Sequence, residues 1–445
     1  MVLSPPEAVV EIARRLRERD RQAWAVGGAV RDALLGQPSG DWDIATDARP
    51  DEIRRIFRRT IPIGIEHGTV GVLARDGVLY EVTTFRRDVE TFGRHAVVAF
   101  ADTIEEDLGR RDFTFNAIAW NPLTDELRDP FGGEADLRAR VLRTVGAPDE
   151  RFAEDYLRVL RALRFAGQLA LRIDAPTWSA LQQAVQQLDV LSAERVREEL
   201  WKTLGKMRTA SVTLRLYEES GALARLVPEL AAMVGLDTGR ASGRDLWTVT
   251  LATVDAIPHS RPLLRMAALL HGVGYPTART RGLRGEWRFT GHETFGARKA
   301  EDVMRRLKAS NADTDRVVAL VARQSDLFPP DAPDAGIRRW LLHVPPDMVY
   351  DFFRLRIATW RADPTKRGNA DLLERWRGAH RVLLAHPVLS VADLAIDGSD
   401  LRGLGLEPGP RYGDILRLLL DRVLEDPGAN RREELMRIVR EEGLV

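Results

Sequence analysis

Two acidic residues near the start of the chain have a spacing that suits a metal site. Asp41 and Asp43 are separated by one residue, so on an extended strand their carboxylates point to the same face. Two like charges held side by side repel each other, and a divalent cation offsets that repulsion. Mg²⁺ prefers a few carboxylates together with phosphate oxygens of a substrate. The pair therefore favours metal-assisted phosphoryl or nucleotidyl transfer, with both residues as metal ligands.

A turn that suits phosphate precedes the acidic pair. Residues 24–26 are predicted as a short buried strand, Gly27 and Gly28 as a turn, and residues 29–35 as a helix. Backbone N–H groups point out of such a turn, and the helix N-terminus carries partial positive charge. Arg31 adds a guanidinium with several donors. The surrounding elements must therefore hold the phosphate-binding turn next to the two metal-binding carboxylates.

The whole stretch is more specific than its parts. The strings GGAVRD, LLG and DWDIAT occur in this order and resemble the signature of the class II tRNA nucleotidyltransferase and bacterial poly(A) polymerase family. The resemblance implies a head with the polymerase-β-type nucleotidyltransferase fold. It also implies that Gly28 and Arg31 contact the incoming triphosphate and that Asp41 and Asp43 hold Mg²⁺. On the residues alone, a plain turn and a chance D-x-D remain alternatives.

Length and composition limit the class of protein. The chain has 445 residues, of which 44% are apolar and 30% charged, so we expect a globular protein of about two to four domains. Absence of long apolar runs and of a signal-peptide profile predicts a cytoplasmic protein with no membrane partner. The lack of cysteine excludes disulfides, thiolate zinc sites and cysteine nucleophiles. Because the formal net charge is zero, any nucleic-acid surface must be a local patch.

Several elements are predicted around the acidic pair. Residues 5–20 have the apolar spacing of an amphipathic helix, and residues 50–52 begin another short helix. Residues 69–73 and 78–85 are predicted to form two strands of a hairpin in the central sheet. Glu81 lies on the second of these strands and is the candidate for a third acidic catalytic group that faces the metal pair. A solvent-facing glutamate on a half-exposed strand is the alternative.

The interval 87–100 is predicted as a loop, because it is polar, contains glycine and has no helical period. In the resembled family this interval is a flexible loop that helps move the enzyme from adding C to adding A. Gly93-Arg94-His95 keeps the middle of that family's acidic-Gly-Arg-basic-Pro run. Phe92 and Ala96 replace its acid and its proline, which weakens the inference about the last added base.

A second motif begins with a charged cluster at residues 105–107. It leads into RRDFTFNA, which we predict to open an apolar helix. The string matches the family's RRDFTxNA element, and the resemblance implies that Arg111 contacts phosphate and that Asp112 and Asn116 contact the sugar region. A solvated first turn of a helix is the alternative.

Residues 151–168 are predicted as one amphipathic helix. Its apolar residues fall within one arc, while Asp155, Arg158, Arg161 and Arg164 spread over the opposite side. On the helix alone we favour a solvated surface, with Asp155 and Arg158 as an ordinary ion pair. The string EDYLRVLRALRFA nevertheless matches the family's EDxxRxxRxxRF element, whose side chains act as a protein template for the incoming base.

The template is chemically consistent with its two proposed members. Cytosine and adenine both present an amino donor beside a ring-nitrogen acceptor, whereas guanine and uracil present a carbonyl beside a ring N–H. Asp155 would accept from the amino group and Arg158 would donate to the ring nitrogen. Such a pair accepts C and A and rejects G and U, because mismatched buried groups stay unpaired. The resemblance implies that Arg161 and Arg164 position the triphosphate or the helical neck, residues 148–205, that follows the head.

Residues 245–330 resemble an HD phosphohydrolase domain that has lost most of its metal ligands. The HD pair is His271-Gly272, and Val249 and Gln324 stand where histidines are expected. His292 is retained. We interpret the segment as a scaffold with no phosphodiesterase or phosphatase activity and His271 as a packed histidine.

The last segment, residues 394–445, resembles the tail with which the family grips the tRNA backbone. Arg431 and Arg432 add local positive charge for phosphates. A solvated C-terminal bundle is the alternative.

Together these features predict an α+β protein with four parts. These are a nucleotidyltransferase head (1–147), a helical neck with the base template (148–205), a helical body with the degenerate HD-like segment (206–365) and a helical tail that binds tRNA (366–445). The resemblance implies a Mg²⁺-dependent enzyme that adds C or A from CTP and ATP to the tRNA 3′ end. A CC-adding or A-adding specialist and a poly(A) polymerase are alternatives within the family. An HD-type phosphohydrolase and a non-catalytic RNA-binding protein are alternatives outside it.

Overall fold

The computed structural model describes residues 3–92, 95–239, 243–363, 365 and 368–444. The chain forms two compact units. The first comprises Met1–Thr203 and Val212–Pro228, and the second comprises Leu204–Ser211 and Glu229–Val445. All strands of the large sheet lie in the first unit, and the second unit is mainly helical. This is the α+β architecture that the sequence predicts.

A seven-stranded sheet forms the centre of the first unit. Its strands pair in the order β3-β4-β5-β2-β1-β8-β9, with β2 and β5 parallel and the other neighbours antiparallel. The seven strands are β1 (Trp24–Val26), β2 (Asp43–Thr46), β3 (Thr60–Gly64), β4 (Thr69–Leu73), β5 (Leu79–Thr84), β8 (Ala119–Trp120) and β9 (Leu127–Arg128). Among the described residues, three two-stranded sheets lie outside it and consist of β6 (Arg86–Phe92) with β7 (His95–Phe100), β10 (Val141–Leu142) with β11 (Arg172–Ile173), and β12 (Thr280–Arg281) with β13 (Trp287–Arg288).

The two strands that frame the glycine turn and the acidic pair are held by apolar burial. All three residues of β1 are buried, and β2 buries every residue after Asp43. Trp24 and Val26 join one core cluster with Phe85 and Leu108. Because these side chains anchor β1 and β2 from one side, the ends of both strands are fixed where the functional residues begin.

The interval 87–100 is a β-hairpin, so the prediction of a loop was wrong. Strands β6 and β7 pair antiparallel, with a register shift between Asp88 and Glu90. The physical reason is the run of β-branched residues in both arms, including Val97 and Val98, whose preference for extended backbone outweighs the polar composition. Gly93 and Arg94, which carry the family-like run, lie outside the described residues.

The helices along the chain account for most of the remaining described residues. They are α1 (Glu7–Arg17), α2 (Gly28–Leu34), α3 (Pro50–Ile56), α4 (Ile104–Gly109), α5 (Gly133–Arg138), α6 (Pro148–Glu154), α7 (Leu157–Leu169), α8 (Ala175–Ala184), α9 (Ala193–Lys206), α10 (Ser211–Glu219), α11 (Ala222–Leu226), α12 (Pro228–Ala231), α13 (Leu246–Asp255), α14 (Pro262–Leu270), α15 (Tyr275–Ala278), α16 (His292–Arg306), α17 (Asn311–Ala322), α18 (Asp334–Leu341), α19 (Pro346–Ala362), α20 (Ala370–Leu384), α21 (Gly398–Gly403), α22 (Pro410–Glu425) and α23 (Arg432–Glu441). No helix in the described ranges is long and apolar enough to cross a membrane.

Two predicted helices differ from the observed ones. The RRDFTFNA segment follows α4 instead of opening a helix, and only residues 114–116 form a short 3-10 turn. The predicted helix over 151–168 is broken into α6 and α7, because Asp155 has extended backbone angles (φ −155°, ψ 105°). Its carboxylate accepts a hydrogen bond from Leu157 N (3.0 Å) and caps the start of α7.

Candidate active site in the head

The glycine turn brings three of the predicted groups together. Gly27 has a positive φ of 75°, which disfavours any side chain. A Cβ at this position would lie 3.2 Å from Arg111 Nη1 and 3.9 Å from Asp43 Oδ2, and a Cβ at Gly28 would lie 3.6 Å from Arg31 Nη2. The two glycines therefore keep open the space that these charged groups face.

Asp41 and Asp43 lie on one exposed face. Both residues are exposed, whereas Trp42 between them is buried and packs against Trp120, with ring centroids 6.2 Å apart. Asp41 precedes β2, which begins at Asp43, so the two acids do not lie on one strand as predicted, but the charge of Asp41 still acts on Asp43. The buried tryptophan fixes the position of the pair.

Glu81 shares the face of Asp43. Ile44 pairs with Val82 in parallel register, so Asp43 and Glu81 occupy matching positions one residue earlier on β2 and β5. Burial by surrounding protein, and then the charges of Glu81 and Asp41, raise the pKa of Asp43 to about 6, although the Arg111 guanidinium acts to lower it. The side chain reaches solvent, so the neighbouring atoms displace only part of its hydration. Within the described ranges, no three histidine or acidic side chains are close enough to hold a metal ion by themselves.

A hydrogen-bonded chain links four of the predicted nucleotide-binding residues. Arg31 Nη1 donates to Asn116 Oδ1 (2.9 Å), and Asn116 Nδ2 donates to Asp112 Oδ1 (3.0 Å). Asp112 Oδ2 accepts from Arg161 Nε (2.8 Å) and Nη2 (2.6 Å). At the other end, Arg31 Nε donates to Asp32 (2.8 Å). Side chains from α2, the turn after α4, and α7 are thereby held in one network.

Arg31, Asp112 and Asn116 of this network are buried, Arg161 is half-buried, and the acid is ionised. Burial alone would raise the pKa of Asp112, but the charge of Arg161 and the hydrogen bond from Asn116 hold it below its usual range. Arg31 and Asn116 are each 6% exposed. An ion pair at this depth is stable only because the surrounding donors and acceptors are also paired.

Phe165 on α7 is surrounded by three guanidinium groups. The ring centroid lies 5.2 Å from the Arg31 guanidinium carbon, 5.3 Å from that of Arg161 and 4.2 Å from that of Arg164. Arg164 is 6% exposed and donates through Nε to Glu199 (2.6 Å). The alternative interpretation of this side of the helix as a solvated surface is therefore wrong for Arg164, because a buried acid on α9 draws it inward.

Arg111 is positioned by Asp107. Asp107 is buried and pairs with Arg111 Nη2 (3.1 Å) and Arg110 Nε (3.2 Å). Burial would raise the pKa of Asp107, but these two guanidinium groups outweigh it and keep the pKa low. The pair explains how Arg111, which lies beyond α4, is held beside Gly27.

Asp155 and Arg158 do not form the predicted ion pair with each other. Asp155 is bound through both oxygens by Arg195 (3.0 and 2.7 Å). Arg158 pairs with Glu154 and donates to the backbone oxygens of Arg151 (2.9 Å) and Arg110 (3.2 Å). The break between α6 and α7 removes the one-turn geometry on which the predicted pair depended.

Arg195 and Glu199 were missed by the sequence reasoning. Both lie on α9, four residues apart, and so face the same side of that helix. Arg195 holds Asp155 and Glu199 holds Arg164, across 40 and 35 residues of chain. The spacing was visible in the sequence, but no local signal indicated which helix this face would meet.

The metal position of the HD-like segment is closed to the missing aspartate, although His271, His292 and Gln324 still line a cavity of about 170 Å³. A Cβ at Gly272 would lie 3.0 Å from Met233 Sδ and 3.2 Å from Leu246 Cδ1, so apolar side chains fill the direction in which the HD aspartate would point. His271 is 2% exposed, with Nδ1 2.6 Å from Ala268 O, and Gln324 Nε2 donates to His271 O (2.8 Å). The geometry agrees with a packed histidine.

The predicted basic pair of the tail is largely compensated. Arg432 is bound to Asp400 through Nε (2.9 Å) and Nη2 (2.7 Å). Arg431 Nε donates to Gly428 O (3.1 Å). Much of the local positive charge is therefore engaged within the tail.

Three family models match consecutive parts of the chain. The Poly A polymerase head domain matches residues 23–143, and the probable RNA and SrmB-binding site of polymerase A matches residues 170–234. The HD domain matches residues 224–346, which confirms the HD-like interpretation. A nucleotidyltransferase head of this class implies dependence on a divalent metal.

Full-length relatives share the same description. A CCA-adding enzyme of Latilactobacillus sakei is 35% identical over 94% of this chain and 93% of its own length. A CCA-adding enzyme of Geobacillus stearothermophilus is 32% identical over 97% of this chain and 96% of its own length. Among solved structures, the Bacillus stearothermophilus CCA-adding enzyme in complex with CTP is 29% identical, with a TM-score of 0.76 over 99% of this chain and 98% of that chain.

The geometry and the comparisons agree on the reaction class. A glycine turn and an acidic face lie within the head, an arginine network joins the head to α7, and the relatives extend over nearly the whole chain. The chain belongs to the family of CCA-adding enzymes and is a tRNA nucleotidyltransferase.

Proposed function

We propose that this enzyme adds C and A from CTP and ATP to the tRNA 3′ end at the exposed face of Asp41, Asp43 and Glu81. The observation that carries the proposal is the convergence of these carboxylates with Arg111 beside the Gly27-Gly28 turn. The carboxylates suit a cation, and Arg111 with the glycine turn suits phosphate. The CTP bound in the related Bacillus stearothermophilus structure supports the choice of substrate.

Mg²⁺ is the proposed metal, with Asp41 and Asp43 as its ligands. Burial, and then repulsion from Glu81 and Asp41, raises the pKa of Asp43, and a divalent cation relieves the repulsion. Because no three acidic side chains form a closed group in the described part of the chain, substrate phosphate oxygens would complete the coordination. When bound, the metal would stabilise the charge on the transferring phosphate and the leaving pyrophosphate. Glu81 adds a third carboxylate on the same face.

Phosphate binding is assigned to Gly28, Arg31 and Arg111. Arg111 Nη1 faces the space above Gly27, and Arg31 Nη2 faces that above Gly28. Nη2 and Nε of Arg31 also pair with Asp32, and Nη1 donates to Asn116, so the position of the guanidinium is set before substrate arrives. Such preorganised donors stabilise developing charge without reorganisation during the reaction.

Asp112, Asn116, Arg161 and Arg164 are assigned to the sugar region and to the positioning of the triphosphate. The first three share the buried network, and Arg164 joins them through Phe165. Burial of Asp112, Asn116 and Arg164 makes them rigid supports for the residues that reach substrate.

Asp155 and Arg158 remain the proposed base template, now with Arg195 as a third member. The carboxylate of Asp155 is held in one orientation by the bidentate Arg195 contact. Glu154 accepts a hydrogen bond from Arg158 through one oxygen. Each template side chain thus has a partner that fixes its direction, and selection of C and A follows from the donor and acceptor pattern that the pair presents.

The division into head (1–147), neck (148–205), body (206–365) and tail (366–445) is kept as a proposal, as are tRNA binding by the tail and a cytoplasmic location. The match to an RNA-binding model over residues 170–234 supports RNA contacts outside the head.

Incubation of the protein with tRNA that lacks its CCA end tests the proposal. CTP and ATP are supplied separately and together, and products are resolved at single-nucleotide length. Addition of CCA is expected with both triphosphates, and addition limited to C or to A would assign one of the specialist activities instead. Asp41→Ala and Asp43→Ala should abolish addition, while Asp51→Ala, an exposed acid paired with Arg54, should not. Near-normal addition by either active-site variant would refute the assignment.

A further inference from the structure

An arginine-rich hairpin extends from the HD-like segment and has no role in the chemistry described above. Strands β12 and β13 pair antiparallel, with Arg281 opposite Trp287, and Gly282 N donates to Glu286 O (2.8 Å) at the turn. We call residues 279–289 the arginine hairpin. It carries Arg279, Arg281, Arg284 and Arg288, all of which are exposed, against one acid, Glu286.

On one face of the arginine hairpin, two guanidinium groups lie against the ring of Trp287. The guanidinium carbons of Arg279 and Arg281 lie 3.6 and 4.6 Å from the centroid of Trp287. The ring attracts both cations, but the two cations repel each other. An anion placed between them would relieve that repulsion.

The arginines of this face are not neutralised by acids. Glu286 is engaged with Arg288 through Nε (2.9 Å) and Nη2 (2.5 Å), on the opposite face of the hairpin. Within the part of the chain that the structure describes, Arg279, Arg281 and Arg284 form no ion pair. Arg437, by contrast, pairs with both Glu434 and Glu441. Three unneutralised guanidinium groups in six residues indicate an anionic partner.

A shallow groove adjoins the base of the arginine hairpin. Its volume is about 660 Å³, and its lining includes Tyr275, Phe289, His292, Arg288 and Glu293. The Tyr275 ring lies 5.2 Å from that of Phe289 and 4.0 Å from that of His292. Grouped aromatic rings beside basic residues are a platform on which an unpaired base stacks, and Glu293 adds an acceptor for a base amino group.

We propose that the arginine hairpin and this groove form an RNA-binding site that is separate from the catalytic face. Arg279 and Arg281 bind backbone phosphate, and the aromatic groove receives an unpaired nucleotide. The pattern of charge favours RNA over a protein partner, because the arginine hairpin presents four guanidinium groups beside aromatic rings and a single acid of its own. The identity of the RNA as tRNA rests on the proposed function.

Equilibrium binding of tRNA lacking its CCA end, measured at several salt concentrations, tests the phosphate contacts. The variant is Arg279→Gln/Arg281→Gln. A matched control, Arg14→Gln/Arg305→Gln, removes the same charge from two exposed arginines that pair with Glu11 and Glu301. We expect the hairpin variant to weaken binding at least about tenfold and to reduce the slope of log K against log salt by about 1.4 to 1.8, for two lost phosphate contacts. Nucleotide addition at saturating tRNA should stay within about twofold of wild type.

Phe289→Leu tests the groove, since it keeps the residue apolar and removes the aromatic face. It should weaken tRNA binding by about three- to tenfold without changing the salt slope, as expected for lost stacking. Binding and slope equal to those of the control variant in Arg279→Gln/Arg281→Gln would overturn the proposal, and unchanged binding in Phe289→Leu would overturn its base-stacking part. Failure of wild type to add nucleotides would refute the proposed function but leave this binding comparison intact.

Discussion

The head and the HD-like segment both carry phosphate-handling motifs, but only the head keeps the space and partners that its motif needs. In the head, glycine opens the region between Arg111 and Asp43, and every buried charge of the Arg31–Arg161 network is paired. In the HD-like segment, Met233 and Leu246 occupy the direction in which the missing aspartate would point. A motif in sequence is therefore a guide to function only where the surrounding packing remains compatible with its ligand.

The largest effect is expected from removal of the acid at the centre of the head network. Asp112→Ala leaves Arg161 and Asn116 without their partner in a buried site. Loss of one member of a buried ion pair costs about 3 to 5 kcal/mol in the free energy of unfolding. Chemical denaturation of wild type and variant measures this difference. A loss below about 1 kcal/mol would show that the network does not hold the head together.

The pH dependence of that difference provides a second check. The pKa of Asp112 lies below its ordinary value of 3.8 in the folded protein. A group with a lowered folded pKa contributes stability above its unfolded pKa and loses that contribution as pH falls through the folded value. The stability gap between wild type and Asp112→Ala should therefore be full near pH 7 and should shrink below about pH 4.

A smaller effect, on the choice of nucleotide, is expected from substitution of the template acid Asp155 or of its partner Arg195. Asp155→Ala should relax discrimination against UTP and GTP by about ten- to hundredfold, the worth of a hydrogen bond to a charged group at roughly 1.5 to 3 kcal/mol. Arg195→Gln should act in the same direction but more weakly, because it loosens the carboxylate without removing it. Competition assays with all four triphosphates measure this effect. Unchanged selectivity in Asp155→Ala and Arg158→Ala would make this region a scaffold only.

The smallest effect is expected when the missing HD aspartate is restored. Gly272→Asp places a side chain 3.0 Å from Met233 Sδ in an apolar region, so overpacking should cost about 1 to 3 kcal/mol of unfolding free energy. Gly403→Asp, at a position with no heavy atom within 4 Å, is the matched control. We expect no phosphodiesterase activity with Mn²⁺ or Ni²⁺ from wild type or variant. A stable, hydrolytically active Gly272→Asp protein would contradict a closed metal position.

Local signals in the sequence were sufficient for the elements around the catalytic face. The buried strand at 24–26, the glycine turn and the strand pair around Glu81 each follow from apolar alternation and turn residues over a few positions. The exposed, buried, exposed pattern of residues 41–43 follows from the same alternation. These features depend on neighbours in the chain and were predicted correctly.

Features that depend on distant residues were not predictable in the same way. Asp155 interrupts the neck helix, and its partner Arg195 comes from α9, 40 residues further on. Arg164 looks exposed on a helical wheel but is drawn inward by Glu199. In both cases a tertiary ion pair outweighs a local preference, and a single sequence contains no record of which two helices meet.

Nucleotide addition by Asp43→Asn and by His271→Ala, assayed side by side on tRNA lacking its CCA end, tests the central claim most directly. Both variants change one polar side chain, one on the head's acidic face and one in the closed HD-like segment. Asp43→Asn should lose at least about a thousandfold in rate, which corresponds to about 4 kcal/mol of transition-state stabilisation. His271→Ala should retain addition within about threefold of wild type. The opposite pattern, with addition lost in His271→Ala and retained in Asp43→Asn, would contradict the placement of the chemistry in the head.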